Sequence, residues 1–221
     1  MIREQYRAEY EGEFVITESK WSGGVKTQNR EWVANPITNQ HISGRAACIV
    51  GDADKDKFDY TRLQRHRGGL LGSKKLQTYG RGEITKEMRL DFAVETDKTL
   101  LQDILDRKYS TENIVYTTTR NCLTNPGEFY LIPYNTLMPV EALLLWLAAF
   151  DGHKEIFMIG YNNQTAGTTD TWATSVNRVI GTYPSVKFIL IGEETNMPVD
   201  WRKNANVDVI KHRAFISYCD V

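Results

Sequence analysis

The sequence predicts an α/β fold, a single Rossmann-like domain with a mostly parallel sheet and helices on both faces. Three observations lead there. Ala46 to Val50, Glu155 to Tyr161 and Val186 to Gly192 are short, continuously apolar runs. Strands covered on both faces read this way, whereas a half-exposed strand would alternate. Helical stretches separate these runs, as the crossover connections of a parallel sheet require. Two of the runs end in polar, glycine-containing turns, Gly51-Asp52 and Gly160-Tyr161-Asn162, where an open α/β sheet opens its ligand crevice.

Composition sets the outer bounds. A chain of 221 residues suffices for one substantial α/β domain. A formal net charge of -1 predicts no overall attraction to polyanions, so a nucleic-acid surface must be a local patch. Cys48, Cys122 and Cys219 are widely spaced and odd in number. That argues against a disulfide framework and suits a reducing cytoplasm. The first residues, MIREQYRAEYEGE, are too polar for a signal peptide, and no apolar run approaches the ~20 residues that span a bilayer. The expectation is a soluble, cytoplasmic protein with no membrane partner. Nothing in the sequence fixes its oligomeric state.

Residues 1–44 are polar and turn-rich, with Gly23-Gly24 and Asn35-Pro36. Phe14-Val15-Ile16, Trp21 and Trp32-Val33 are expected to anchor this stretch to the body as an irregular extension, and its polar residues could serve an acceptor. The Rossmann-like domain is expected over 45–221. Its first strand, Ala46 to Val50, leads through Gly51, Asp52 and Asp54 to a helix from about Tyr60. Such a turn presents backbone N–H groups to a phosphate. Neither GxGxxG nor GxxxxGK[ST] occurs there. The aspartates would repel phosphate unless they bind ribose hydroxyls, a base edge or a magnesium ion.

Arg62, Arg65, Arg67, Lys74, Lys75 and Arg81 form the densest cationic stretch, interleaved with Gly68, Gly69 and Gly72 and interrupted by no acid. Guanidinium groups fit phosphate bidentately and glycine permits close approach, so the stretch is a candidate for nucleotide phosphate or DNA. The alternative is a solvated basic loop.

Met88 to Val94 reads as a strand ending at Glu95-Thr96-Asp97, followed by a helix from about Thr99 to Tyr109. Further strands are expected at Asn113 to Thr117 and Phe129 to Pro133. Pro133-Tyr134-Asn135-Thr136 then leads into a buried helix from Leu137 to Phe150. A tight turn, Asp151-Gly152-His153, precedes the strand that ends at Tyr161. A helical stretch, Thr171 to Tyr183, precedes the strand Val186 to Gly192, and a last apolar segment, Val207 to Ile216, includes His212. The four histidines form neither HxH nor HExxH, so no zinc site is expected.

Two blocks resemble the nucleotide-binding motifs of the sialyltransferases. RAACIVGDADKDKF is similar to their first motif, a strand and turn that hold the donor nucleotide. The block Pro133 to Asn162 is similar to the second, a turn, an apolar helix and a strand ending in an aromatic residue. From about Trp21 onward the chain also resembles a family of small proteins of large tailed bacteriophages, through REWVANPITNQHISG, GGLLGSKKLQTYG and FDGHKEIFMIGYN. These resemblances imply a glycosyltransferase-like sheet acting in an infected host cell. They also imply a nucleotide-sugar donor as co-substrate, held by Gly51, Asp52, Asp54, Tyr134, Asn135, Gly160, Tyr161 and Asn162. The acceptor they suggest is a hydroxyl, with hydroxymethylated phage DNA the leading choice.

Sugar transfer needs a base for the acceptor proton and positive charge for the departing phosphate. Asp97 and His212 are the base candidates. Asp97 could equally cap the helix that follows it. A catalytically inactive nucleotide- or nucleic-acid-binding protein is the alternative function.

Overall fold

A computed structural model describes residues 2–35, 44–50, 63, 76–161 and 171–220. The chain builds an eight-stranded parallel sheet from β3 (Arg45–Ile49), β4 (Gln77–Arg81), β5 (Phe92–Val94), β6 (Ile114–Thr117), β7 (Tyr130–Leu131), β8 (Glu155–Ile159), β9 (Lys187–Ile191) and β10 (Val207–Ile210). Ahead of it, β1 (Gly12–Ser22) and β2 (Val25–Ala34) form a separate antiparallel hairpin. The described α-helices are α1 (Lys98–Asp106), α2 (Thr119–Thr124), α3 (Val140–Phe150), α4 (Thr171–Thr182) and α5 (His212–Asp220).

Alternation along the strands produces two cores, one on each face. Ala46 and Cys48, Ile156 and Met158, and Phe188 and Leu190 share one core with α3 and α4. Ala47 and Ile49, Phe157 and Ile159, and Ile189 and Ile191 join Leu101 and Ile104 of α1 and Phe215 of α5 in the other. Helices therefore cover both faces of a Rossmann-like sheet, in line with the unbroken apolar runs. Helix α3 is buried along almost its entire length, and Trp146 and Phe150 stack within it at 4.9 Å between ring centroids.

The strand order is β10-β9-β8-β3-β4-β5-β6-β7. From β3 the chain steps outward in one direction to β7, then α3 carries it back to β8 on the other side of β3. The order reverses between β3 and β8, which makes this pair the switch point.

Three features differ from the sequence-based expectation. The N-terminal stretch is not irregular: after an arm of residues 2–11 it forms the hairpin, turned by Gly23 and Gly24 at φ 56° and 78°. Two consecutive residues with positive φ give the twist a two-residue hairpin needs. Nor do its aromatics anchor it. Phe14, Trp21 and Trp32 are exposed, whereas their neighbour Val15 is buried.

Second, QTYGR was read only as part of the basic stretch, yet it is β4, buried and central. Its polar Thr78 is satisfied by Asp91: the carboxylate accepts from Thr78 N–H at 2.9 Å and from its hydroxyl at 3.0 Å. Gly80 leaves room for Leu90, whose Cδ1 would lie 2.7 Å from an added Cβ. Third, the last apolar segment divides into β10 and the start of α5. Pro133-Tyr134-Asn135 is a turn, as expected, and a tight one in which Tyr134 and Asn135 adopt φ 58° and 44°, a conformation side chains other than glycine rarely take. Burial at the hairpin's base pushes the Glu13 pKa above the ordinary carboxylate range, opposed by the nearby backbone N–H groups of Asn135 and Tyr134.

The arm of residues 2–11 is tied down through a buried ion pair. Arg7 Nε donates to Asp151 Oδ1, while its other nitrogens donate to Asn35 Oδ1 at 3.0 Å and Tyr116 Oη at 3.1 Å. Asp151 also accepts the Tyr79 hydroxyl at 2.6 Å, and the Tyr79 oxygen lies 3.0 Å from His153 Nε2. His153 is fully buried, which fits a turn residue locked into a structural network.

Candidate functional site at the carboxyl edge of the sheet

At the switch point β3 and β8 run in register from Arg45 opposite Glu155 to Ile49 opposite Ile159. One further bond, Val50 N–H to Ile159 O at 3.1 Å, extends the pairing. Val50 and Tyr161, the last described residues of the two segments, stand at this point. Gly160, at φ 81°, turns the chain where a side chain would be strained.

Three groups frame this point. Tyr161 is fully buried, and its hydroxyl donates to the Glu141 carbonyl at 2.7 Å. That bond fixes the first turn of α3 beside the end of β8. On the other flank of β3, Arg81 ends β4 and donates from Nη1 to Glu141 Oε1 at 3.2 Å. Arg81 Nε is buried and makes no hydrogen bond. Helix α3 begins at Pro139 without a side-chain cap, so the partial positive charge of its N-terminus faces the same region uncompensated by a capping oxygen.

Glu95, at the end of β5, completes the cluster. Its Oε1 accepts from Thr96 N–H at 2.8 Å and Asp97 N–H at 2.9 Å, and its Oε2 from Gly82 N–H at 3.2 Å. Burial pushes its pKa above the ordinary carboxylate range, opposed by those N–H groups and by the charge on Arg81. A carboxyl whose folded pKa is raised contributes stability that is complete below its unfolded pKa and is lost as pH rises through the folded one. Relative to Glu95→Gln, the wild-type protein should therefore lose urea resistance as pH rises from the acidic range toward neutral. A gap between the two midpoints that stays constant with pH would contradict this.

The structure separates the residues that sequence reasoning had grouped. Gly51, Asp52, Asp54, Arg62, Arg65, Arg67, Lys74, Lys75 and Asn162 lie outside the described residues. Gly160 and Arg81 stand at the switch point. Tyr161 is there too, as a buried positioning residue. Tyr134 and Asn135 do not join them: they follow β7, four strands from β3, on the order of 19 Å away at ~4.8 Å per strand. Asn135 instead lines a second cleft of about 570 Å3 with Ile16, Thr119, Arg120, Leu123 and Leu137.

The two base candidates also fall apart. Asp97 is the N-cap of α1, its Oδ1 accepting from Thr99 N–H at 2.8 Å and Leu100 N–H at 3.0 Å. His212 opens α5 after the edge strand β10. Five strand spacings, on the order of 24 Å, divide the ends of β5 and β10, so the two candidates are alternatives, of which one at most stands at a given acceptor. Sequence reading missed Glu95 and Glu141. The available signal for Glu95 was a carboxylate placed directly after an apolar strand.

Burial pushes the Cys48 thiol well up and that of Cys122 up to about 11, so neither is a ready thiolate nucleophile. No group of three or more His, Cys, Asp or Glu side chains suited to a metal ion occurs among the described residues. No described helix is long and apolar enough to cross a membrane. In comparisons with known proteins, no family model, curated protein or solved structure matches the chain.

Proposed function

We propose that this protein is a glycosyltransferase that moves a sugar from a nucleotide-sugar donor to a hydroxyl, with a hydroxymethylated base in phage DNA as the leading acceptor. The observation that carries the reading is the in-register pairing of β3 with β8 where strand order reverses. An open α/β sheet has its nucleotide crevice at that place, and Arg81 and the N-terminus of α3 supply positive charge beside it.

In this reading the sugar's anomeric C–O bond to the nucleotide breaks as a new C–O bond to the acceptor oxygen forms. A base takes the hydroxyl proton and the nucleoside phosphate leaves against Arg81. Asp52 and Asp54, which follow β3 in sequence, would bind ribose hydroxyls or a magnesium ion.

The test is incubation with a panel of nucleotide sugars and hydroxymethylated DNA, read by nucleoside mass spectrometry. A nucleoside heavier by one sugar is the expected product. Absence of any sugar adduct with every donor overturns the proposal.

A second reading, a nucleotide- or nucleic-acid-binding protein without catalysis, draws on one observation. Asp97, whose N–H donates to Glu95, is engaged as a helix cap, and His212 sits at the far edge of the sheet. Saturable nucleotide binding without turnover, unchanged in Asp97→Ala and His212→Ala, would favour it.

A further inference from the structure

The register of the hairpin sorts its side chains by chemistry. Phe14 pairs with Trp32, Ile16 with Arg30, Ser19 with Gln28 and Trp21 with Lys26, the register shifting once between Ile16 and Glu18. Paired residues share a face and faces alternate along the unbulged strand. One face therefore carries Phe14, Ile16, Trp21 and Trp32 with Lys26 and Arg30, and no acid. Glu13, Glu18 and Glu31 are all on the other face, with Lys20 and the buried Val15.

The first face looks outward. Phe14 is 66 %, Trp21 71 % and Trp32 47 % exposed, although large aromatic side chains normally gain from burial. Phe14 and Trp32 meet edge to face at 5.0 Å, which braces both rings without covering them. Trp21 lies seven residues farther along β1, on the order of 20 Å away at a strand's rise per residue.

We propose that this face binds single-stranded nucleic acid. Unpaired bases stack on Trp21, Trp32 and Phe14, and Lys26 and Arg30 meet the backbone phosphates. Exposed aromatics interleaved with cations are what sequence-tolerant single-strand recognition requires, since every base offers a π face and every phosphate a charge. A partner recognised by hydrophobic burial alone would not call for acids to be excluded from this face. A fully stacked duplex would offer the rings no base faces.

Continuity with the body supports the same occupant. Ile16 belongs to this face and also lines the 570 Å3 cleft, where Arg120 is the one charged lining residue among the described residues. That cleft opens at the carboxyl ends of β6 and β7, on the same edge of the sheet as the switch point. A strand lying on the hairpin can thus enter the cleft toward the crevice, and enzymes that act on a base take it out of the stack. The inference rests on the acceptor half of the proposed function and is read by binding alone.

The test is fluorescence anisotropy of a labelled 20-nucleotide single-stranded DNA at several salt concentrations, with no sugar donor present. The double variant Trp21→Ala/Trp32→Ala should bind at least tenfold more weakly than wild type. Lys26→Ala/Arg30→Ala should lower the slope of log affinity against log salt by about 1.4, at ~0.7 per phosphate contact. Unlabelled single strand should compete better than duplex of the same sequence. All four side chains are solvent-facing, so unchanged thermal midpoints should show that the variants fold.

Failure of wild type to bind, or undiminished binding by the aromatic variant, overturns the inference. So does self-association abolished by the aromatic variant while oligonucleotide binding is untouched. Binding without sugar transfer sinks the transferase reading and leaves this surface standing. Transfer to DNA that persists in the aromatic variant with unweakened binding does the reverse.

Discussion

Removing either partner of the Arg7–Asp151 pair is expected to cost about 3–5 kcal/mol, because each change strands a buried charge. Side chains of both residues are almost inaccessible, at 5 % and 0 %. Burial alone would depress the Arg7 pKa, yet the charge and hydrogen bond of Asp151, together with Tyr116 and Tyr79, outweigh it and hold it above its ordinary value. The pair is therefore strongly coupled. In Arg7→Ala the Asp151 carboxylate keeps only the Tyr79 hydroxyl among the side-chain donors described above, and Phe150 and Tyr116 lose the guanidinium packed against their rings. In Asp151→Ala the guanidinium keeps two neutral acceptors and no counter-charge.

Urea denaturation of the two single variants and the double variant Arg7→Met/Asp151→Leu forms the check. The double variant should recover much of the loss, since apolar groups of similar size can replace a buried pair at little cost. Single variants within ~0.5 kcal/mol of wild type, the range of ordinary surface changes, would show that the pair is solvated. Because the arm leads directly into the hairpin, the single variants should also weaken oligonucleotide binding without any change to the hairpin itself.

Arg81→Ala should weaken binding of a nucleoside diphosphate about 10–100-fold, the worth of one charge-assisted hydrogen bond of ~1.5–3 kcal/mol. A phosphate at the end of β4 has to compete with Glu141, which holds Nη1, whereas the buried Nε has no partner to give up. That competition gives the prediction a second, opposite arm. Glu141→Gln removes the competing charge and should tighten diphosphate binding several-fold. Isothermal titration of uridine and guanosine diphosphates with the three proteins reads both arms. Equal affinities for wild type and Arg81→Ala, where wild type binds, would remove Arg81 from the phosphate site. Equal affinities for wild type and Glu141→Gln would show that the ion pair does not compete with the ligand.

Legibility in the sequence followed burial. β8 and β9 were readable because both their faces are covered, so neither needs a polar residue until it leaves the sheet. Helix α3 was readable for the same reason. β4 was not: Gln77, Thr78 and Gly80 look like a turn, and it is Asp91, thirteen residues on, that bonds Thr78, and Leu90 that explains the glycine. The hairpin's turn was visible in Gly23-Gly24, but its exposed face was not. Aromatic residues in a polar stretch suggest anchors, and the register that brings Trp21 onto the face of Phe14 and Trp32 depends on a bulge at Thr17 that no local pattern announces.

Of the candidate site, sequence located the two strand ends and named Arg81, Gly160 and Tyr161. It grouped with them Tyr134 and Asn135, which follow β7, four strands from β3, with the Tyr134 ring against Phe150 of the buried helix. It also gave Asp97 two readings that only hydrogen-bond geometry could separate.

By itself, the sequence determined which segments are interior and that strands alternate with helices, because burial on both faces is a property each segment carries in its own side chains. Only the tertiary structure decided which strands are neighbours. Ile49 comes to lie opposite Ile159, and Arg7 reaches Asp151 across 144 positions. Such meetings are set by how two cores close around one sheet, a global packing condition on which no single stretch of residues holds the information.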